Sequence, residues 1–211
     1  MSPSRRVVLA TGNAGKQREF AALLAPLGFE IITQAQLGIA GADETGDTFE
    51  ENALLKARHA ARAAGLPALA DDSGIEVDAL HGRPGVRSAR YAGASASDAD
   101  NNALLLQELA ASATHQRGAG EQGGDPHAAR RARFRCVIAW VRDADDPAPL
   151  FARGVWEGHI AAAPAGEGGF GYDPLFIPLG QSISAAQMSP AAKNAVSHRG
   201  QALAALLRLL R

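Results

Sequence analysis

One cysteine in 211 residues, Cys136, is too few for an internal disulfide framework or a cysteine-rich zinc site. It sits in the strand-like run Phe134-Arg135-Cys136-Val137-Ile138 and is expected to be a small buried apolar residue. No apolar run approaches the roughly 20 residues needed to span a bilayer. The first residues also lack the apolar core of a signal peptide, so a cytoplasmic protein with no membrane partner is expected. An excess of one charge is missing too. Lys and Arg number 21 against 22 Asp and Glu, a net charge of -1, which gives no electrostatic ground for wrapping DNA or adhering to an acidic membrane. Internal repeats and a convincing linker are absent, and residues 1–211 read as one large domain or two small lobes, long enough to bury a substantial core.

Strand and helix patterns alternate along the chain. Arg5–Thr11 reads as a strand, Gly15–Leu24 as a helix stopped near Pro26 and Gly28, and Phe29–Thr33 as a second strand. Thr48 caps a helix through about Ala64, with Glu51 completing a capping box and Gly65 ending it. Leu66–Ala70 reads as a short buried strand leading into Asp71-Asp72-Ser73-Gly74, after which Ile75–Leu80 alternates like a strand. Ser97 opens a helix through about Ala111. Residues 113–130 are glycine-rich and polar and are expected to form a flexible surface loop. Arg130, Arg131 and Arg133 follow it as a basic patch. A solvated strand entry explains that patch better than a nucleic-acid site, and no nucleic-acid partner is expected. Arg133–Arg142 and Leu150–Ile160 read as longer strands joined by an acidic, proline-bearing turn. Ser197 caps a last helix with Leu203, Leu206, Leu207 and Leu210 on its apolar face. A mixed α/β architecture follows, with some long antiparallel strands in the central sheet.

The most informative segment is Leu9-Ala10-Thr11-Gly12-Asn13-Ala14-Gly15-Lys16, where an apolar strand enters a two-glycine turn, a lysine and a helix. Glycines let backbone N–H groups approach a ligand, and the helix offers its positive dipole end, a combination suited to phosphate. It is not a P-loop, because positions 10 and 17 are Ala and Gln where that motif has Gly and Ser or Thr. Asp71-Asp72-Ser73-Gly74 offers two adjacent carboxylates beside a buried strand. One of them could face a pocket and bind Mg²⁺, and the same four residues are also good turn formers. Asp43, Glu44, Asp47, Glu50 and Glu51 form an acidic stretch that partly serves the dipole of the helix after Thr48, with Asn52 and Lys56 further along that helix. Gly166-Glu167-Gly168-Gly169-Phe170-Gly171-Tyr172-Asp173-Pro174 could present the Phe170 ring to a base, or could be a glycine-rich hairpin covering the core. His198 and Arg199 stand at a helix N-terminus, where basic residues oppose the dipole with no local reward. That cost points to a ligand for them.

Taken together, Thr11-Gly12-Asn13-Ala14-Gly15-Lys16, Thr48-Phe49-Glu50-Glu51-Asn52-Ala53, Ala70-Asp71-Asp72-Ser73-Gly74, Ser88-Ala89-Arg90-Tyr91-Ala92-Gly93, Gly169-Phe170-Gly171-Tyr172-Asp173-Pro174 and Ser197-His198-Arg199-Gly200 resemble the inosine/xanthosine triphosphate pyrophosphatase family of house-cleaning nucleotide hydrolases. The resemblance runs from Val7 to about Leu207. It implies an elongated central mixed sheet flanked by helices, two lobes with the substrate cleft between them, and a homodimer. It also implies Mg²⁺-dependent hydrolysis of ITP, dITP and XTP to the monophosphate and pyrophosphate. Thr11, Gly12, Asn13, Ala14, Gly15 and Lys16 would hold the triphosphate. Asp72 would be the catalytic carboxylate and metal ligand, Ser73 a substrate contact, and Glu44 or Glu51 a second metal ligand. Phe170, Gly171, Tyr172, Asp173, Lys193, His198 and Arg199 would enclose and read the base. A 6-oxo purine can accept from such donors, whereas adenine would leave them unpaired at about 1–3 kcal/mol per group. A pyrophosphatase for pyrimidine or methylated nucleotides, or a nucleotide-binding module without catalysis, would use much of the same set.

Overall fold

The computed structural model describes residues 5–25, 28–116 and 127–211. Among them, six strands form one mixed sheet: β1 (Arg5–Leu9), β2 (Phe29–Thr33), β3 (Ala68–Val77), β4 (Arg131–Val141), β5 (Leu150–Ile160) and β6 (Phe176–Pro178). Their spatial order is β2-β1-β3-β4-β5-β6. β1 is parallel to β2 and β3, and β5 is antiparallel to β6. The helices are α1 (Ala14–Leu24), α2 (Phe49–Ala64), α3 (Asp98–Gln116), α4 (Pro190–Val196) and α5 (His198–Leu209).

The chain divides into two compact units. The first comprises Met1–Asp72, Cys136–Gly154 and Ser197–Arg211; the second comprises Ser73–Arg135 and Val155–Val196. Val7, Leu9, Phe20, Leu24, Leu69, Cys136, Ile138, Leu203 and Leu206 fill the first core, where the lone thiol is indeed buried. Ile75, Leu105, Leu109, Phe134, Trp156, Tyr172, Leu175 and Phe176 fill the second.

Local signals account for most boundaries. The Thr48 hydroxyl accepts from the Glu51 N–H, the Glu51 side chain returns to the Thr48 N–H, and Gly65 closes α2 in the left-handed conformation. The buried alanines Ala53, Ala57, Ala60 and Ala61 fall on one face of α2, and their small size lets the helix pack close on β1. Ser189 and Pro190 start α4, a helix too short for periodicity to reveal.

Three sequence expectations need correction. β3 is one ten-residue strand running through Asp71-Asp72-Ser73-Gly74, so this segment is neither a turn nor a strand exit, and it ends at Val77, with Asp78–Leu80 of the expected Ile75–Leu80 strand forming a 3₁₀ turn. Cross-strand pairing and burial on both faces override its turn-forming composition. β1 ends at Leu9, two residues before the expected Thr11. α3 continues to Gln116 rather than stopping near Ala111, so residues 113–116 of the expected 113–130 loop are helical. Residues 117–126 of that loop lie outside the described residues, and 128–130 form a single 3₁₀ turn. The arginines that follow are engaged by protein groups. Arg130 donates to the Ile160 and Ala161 carbonyls, and Arg133 pairs with Asp78 and Glu157.

Within the first unit, α5 lies hard against β5 at Gly154. A Cβ there would stand 2.0 Å from the His198 carbonyl oxygen and 2.6 Å from the Ala202 nitrogen. Gly154→Ala is therefore expected to lower stability by about 1–3 kcal/mol, read as a drop of several degrees in Tm by circular dichroism.

Candidate functional site

Consecutive strand residues point to opposite faces, so β3 sends the Asp71 and Asp72 side chains in different directions, each to its own lysine. Asp71 is fully buried, with Lys16 Nζ 2.9 Å from its Oδ2. Arg199 Nε lies 3.5 Å from the same oxygen, and the Arg199 Nη1 donates to Glu19 of α1. Burial pushes the Asp71 carboxyl up, but Lys16, Arg199 and Lys56 outweigh that cost and hold its pKa well below the usual carboxylate range. Burial would likewise lower Arg199, and Asp71 and Glu19 reverse that, raising its pKa.

The Thr11–Lys16 turn is held by its own side chains. The Asn13 N–H donates to Thr11 Oγ1 (3.2 Å), Asn13 Oδ1 caps α1 by accepting from the Lys16 N–H (3.0 Å), and Gln17 Nε2 donates to the Thr11 carbonyl (2.8 Å). Gly12, Asn13 and Ala14 are exposed, so the N-terminal end of α1 opens to solvent with Lys16 anchored behind it on Asp71. An anion can be accepted at such an end.

On the other face of β3, Asp72 meets α2. Asn52 Nδ2 donates to Asp72 Oδ2 (3.3 Å), and Lys56 Nζ lies 2.9 Å from Asp72 Oδ1 and 2.7 Å from Glu44 Oε1. Asn52 also accepts from the Gly46 N–H (2.8 Å) and donates to the Gly46 carbonyl, which fixes the segment carrying Glu44. Burial raises the Asp72 carboxyl above its ordinary value, against the pull of Lys56 and Lys16. Burial lowers Lys56, but Asp72, Asp71 and Glu44 together raise it, so the ammonium stays charged.

Asn52 and Lys56, four residues apart on one helical face, carry no role that the sequence alone reveals. Only the path of β3 beside α2 reveals their use. Glu51 is occupied differently: its Oε2 accepts from the Asp47 and Thr48 N–H groups. Glu44 and Asp72 are therefore the carboxylates that converge on one cation. Among the described residues, no group of three or more His, Cys, Asp or Glu side chains is placed to hold a metal ion. Two carboxylates fit Mg²⁺, which takes one or two from protein and the rest of its oxygens from water and phosphate.

The second unit carries the Phe170 segment. Asp173 is buried; its Oδ2 accepts from the Phe170 N–H (2.9 Å) and from Lys193 Nζ, itself buried on α4. Lys193 Nζ stands 4.9 Å from the centre of the half-buried Phe170 ring. Gly169 has φ +73°, and a Cβ there would fall 2.1 Å from Asp173 Oδ2, so only glycine permits this carboxylate position. The Tyr172 ring turns into the core, its hydroxyl donating to the Ser88 carbonyl (2.8 Å), which leaves only its backbone on the loop. Ser73, half-buried, follows Asp72 in β3. His198 and Arg199 begin α5 as expected, and both are buried. The dipole cost of Arg199 is met by Glu19 and Asp71, partners too distant in sequence to foresee.

The Ham1 family model matches residues 7–209. The chain is 55% identical over 207 residues to the dITP/XTP pyrophosphatase of Methylococcus capsulatus, covering 98% of this chain and 96% of that one. It is 51% identical to the dITP/XTP pyrophosphatase of Escherichia coli O157:H7, covering 98% of each. Among solved structures it resembles a HAM1 protein from Coxiella burnetii with a TM-score of 0.83 at 46% identity, covering 97% of this chain and 98% of that chain.

Removing the buried anion tests the electrostatics of β3. Asp71→Asn leaves Lys16 and Arg199 short of a partner and is expected to cost about 3 kcal/mol at neutral pH. The folded-state pKa is lowered, so the contribution of Asp71 is complete above its ordinary value of 3.8 and is lost as pH falls toward the folded-state value. The Tm gap between wild type and Asp71→Asn should hold from neutral pH to ~pH 5 and narrow below 3.8.

Proposed function

The chain belongs to the Ham1 family, and from that premise we propose that it hydrolyses ITP, dITP and XTP to the nucleoside monophosphate and pyrophosphate. The observation that carries this reading is the pair of strand carboxylates: Asp71 anchors Lys16 behind a solvent-open helix N-terminus, and Asp72 meets Glu44 through Lys56. Cations and a carboxylate pair suited to a divalent ion are what cleavage of a polyphosphate requires. The same reading includes Mg²⁺ dependence, a homodimer and a cytoplasmic location.

The residues divide the work as follows. Thr11–Gly15 and Lys16 bind the triphosphate through backbone N–H groups and the ammonium that Asp71 holds in place. Asp72 orients the attacking water and takes its proton as oxygen bonds to the α-phosphorus and the bridge to the β-phosphate breaks. Lys56 keeps Asp72 and Glu44 apart in charge and together in space. Asp72 and Glu44 would hold Mg²⁺, which when bound neutralises phosphate charge and orients the leaving pyrophosphate. Phe170 offers a stacking face, and Gly171, Tyr172, Asp173, Lys193, Ser73 and His198 contribute to holding the nucleoside. Arg199 acts by holding Asp71.

A panel of nucleoside triphosphates assayed for pyrophosphate tests the reading. ITP, dITP and XTP should be cleaved in preference to ATP and dTTP, only with Mg²⁺. Preference for dTTP or UTP, or orthophosphate as the product, would sink it. Asp72→Asn should lower kcat by about 10²–10⁴-fold while inosine nucleotide still binds in calorimetry. Glu44→Gln should raise the Mg²⁺ concentration needed for half-maximal rate, and Glu51→Gln, which keeps an oxygen for the cap, should leave it unchanged.

A further inference from the structure

Both backbone polar groups of one loop residue are held by a single helix. The Gly171 N–H donates to Asp98 Oδ2 (2.6 Å), and the Gly171 carbonyl accepts from Asn102 Nδ2 (3.0 Å). Asp98 and Asn102 are four residues apart and so share a face at the start of α3. That helix is firmly seated. Ser97 and Asp100 cap each other at its N-terminus, and Leu105 and Leu109 are buried in the second core. Asn101 accepts from the Ala92 N–H (2.8 Å) and donates to the Ala89 carbonyl, which ties the helix to the Ser88–Gly93 segment. The Tyr172 hydroxyl reaches the Ser88 carbonyl of the same segment.

Gly171 lies between Phe170 and Tyr172, in a segment that also holds Gly166, Gly168 and Gly169. Such a stretch loses more backbone entropy on ordering than any other composition. Asp173 holds both polar groups of Phe170, its carboxylate accepting from the Phe170 N–H and its own N–H donating to the Phe170 carbonyl, whereas the Gly171 N–H and carbonyl go to α3. The α3 grip supplies the restraint at Gly171. We propose that Asp98 and Asn102 are positioning residues for base selection: they touch no nucleotide themselves, and they fix the turn that presents the Phe170 ring and the Asp173–Lys193 pair. This rests on the reading that the Phe170 segment holds the base. The Ser88–Gly93 segment thereby gains a role as the anchor of the clamp.

The test measures kcat and KM for ITP and for GTP by pyrophosphate release. Asp98→Ala and Asn102→Ala should each lower the ITP-over-GTP ratio of kcat/KM about tenfold, equivalent to about 1.4 kcal/mol, chiefly through KM for ITP. Asp98→Asn, which keeps an acceptor oxygen, should retain the wild-type ratio. Asn102→Asp, equal in size but unable to donate, should lose it, and this pair keeps the test decisive if an alanine variant does not fold. A merely structural role would lower kcat for both nucleotides and leave KM and the ratio unmoved. Lys193→Ala separates the two levels of the argument. If it collapses the ratio while the Asp98 and Asn102 variants do not, the clamp is overturned and base reading stands. If Lys193→Ala also leaves the ratio unchanged, base reading by this loop fails, and the clamp with it.

Discussion

Burying the Asp71 carboxylate in the middle of β3 obliges cations to stand beside it, and they come from the two ends of the chain. Lys16 arrives from the glycine turn after β1, and Arg199 from the first turn of α5. An isolated ionised carboxylate would be intolerable at that depth. Arg199 would be equally so without Glu19, so α1 is drawn into the same set. Four side chains of alternating sign thus pin together β3, α1 and α5 in the first unit. Their net Coulombic gain over desolvation is small in general. What they impose is position: once Asp71 is ionised, Lys16 has one place to rest, directly behind the open end of α1.

The strand's two-residue period then separates two jobs. Asp71, matched by Lys16 and Arg199, sits well below the usual carboxylate range and remains an anion. Asp72, one residue on, has burial opposed mainly by Lys56 and is raised instead. Neighbouring groups whose environments drive their proton affinities apart are a recurring feature of reactive sites. Here the divergence follows from the backbone. A turn at this point, as the composition alone suggested, would not have sent the pair to opposite faces.

Where local chemistry decides, the sequence was legible. The Thr48–Glu51 box, the Gly65 stop, the Ser197 cap, β2, β5 and the burial of Cys136 all follow from residues within a turn or two of each other. What could not be read depends on partners far along the chain. The Glu19–Arg199 pair joins residues near opposite ends, and Lys56 finds Asp72 only because α2 lies beside β3. The unbroken β3 is a case of the same kind: Asp-Asp-Ser-Gly prefers a turn in isolation, and pairing with its neighbours in the sheet overrides that preference. The choice between Glu44 and Glu51 was open for this reason as well. Both are acidic and close in sequence, and only the cap hydrogen bonds assign Glu51 to the helix.

The second unit solves a different problem from the first. On the proposed reading it holds the base, and that needs a rigid surface, because each rotamer or loop ordered on binding subtracts from affinity and blurs discrimination. A glycine-rich loop is a poor start, yet glycine is forced at Gly169 by the approach of Asp173. Rigidity must then be imported. The loop's neighbours are tied down on both sides: the Gly168 N–H donates to the Ala186 carbonyl, and the Ala186 N–H donates to the Asp173 carbonyl. Asp173 also takes the Phe170 N–H and the Lys193 ammonium, so one buried carboxylate orders both the ring and the cation beside it. The N–H and carbonyl of Gly171 are held in turn by α3 side chains. On the proposed reading, a substitution that spares every nucleotide-facing group in this loop therefore still changes which base it accepts.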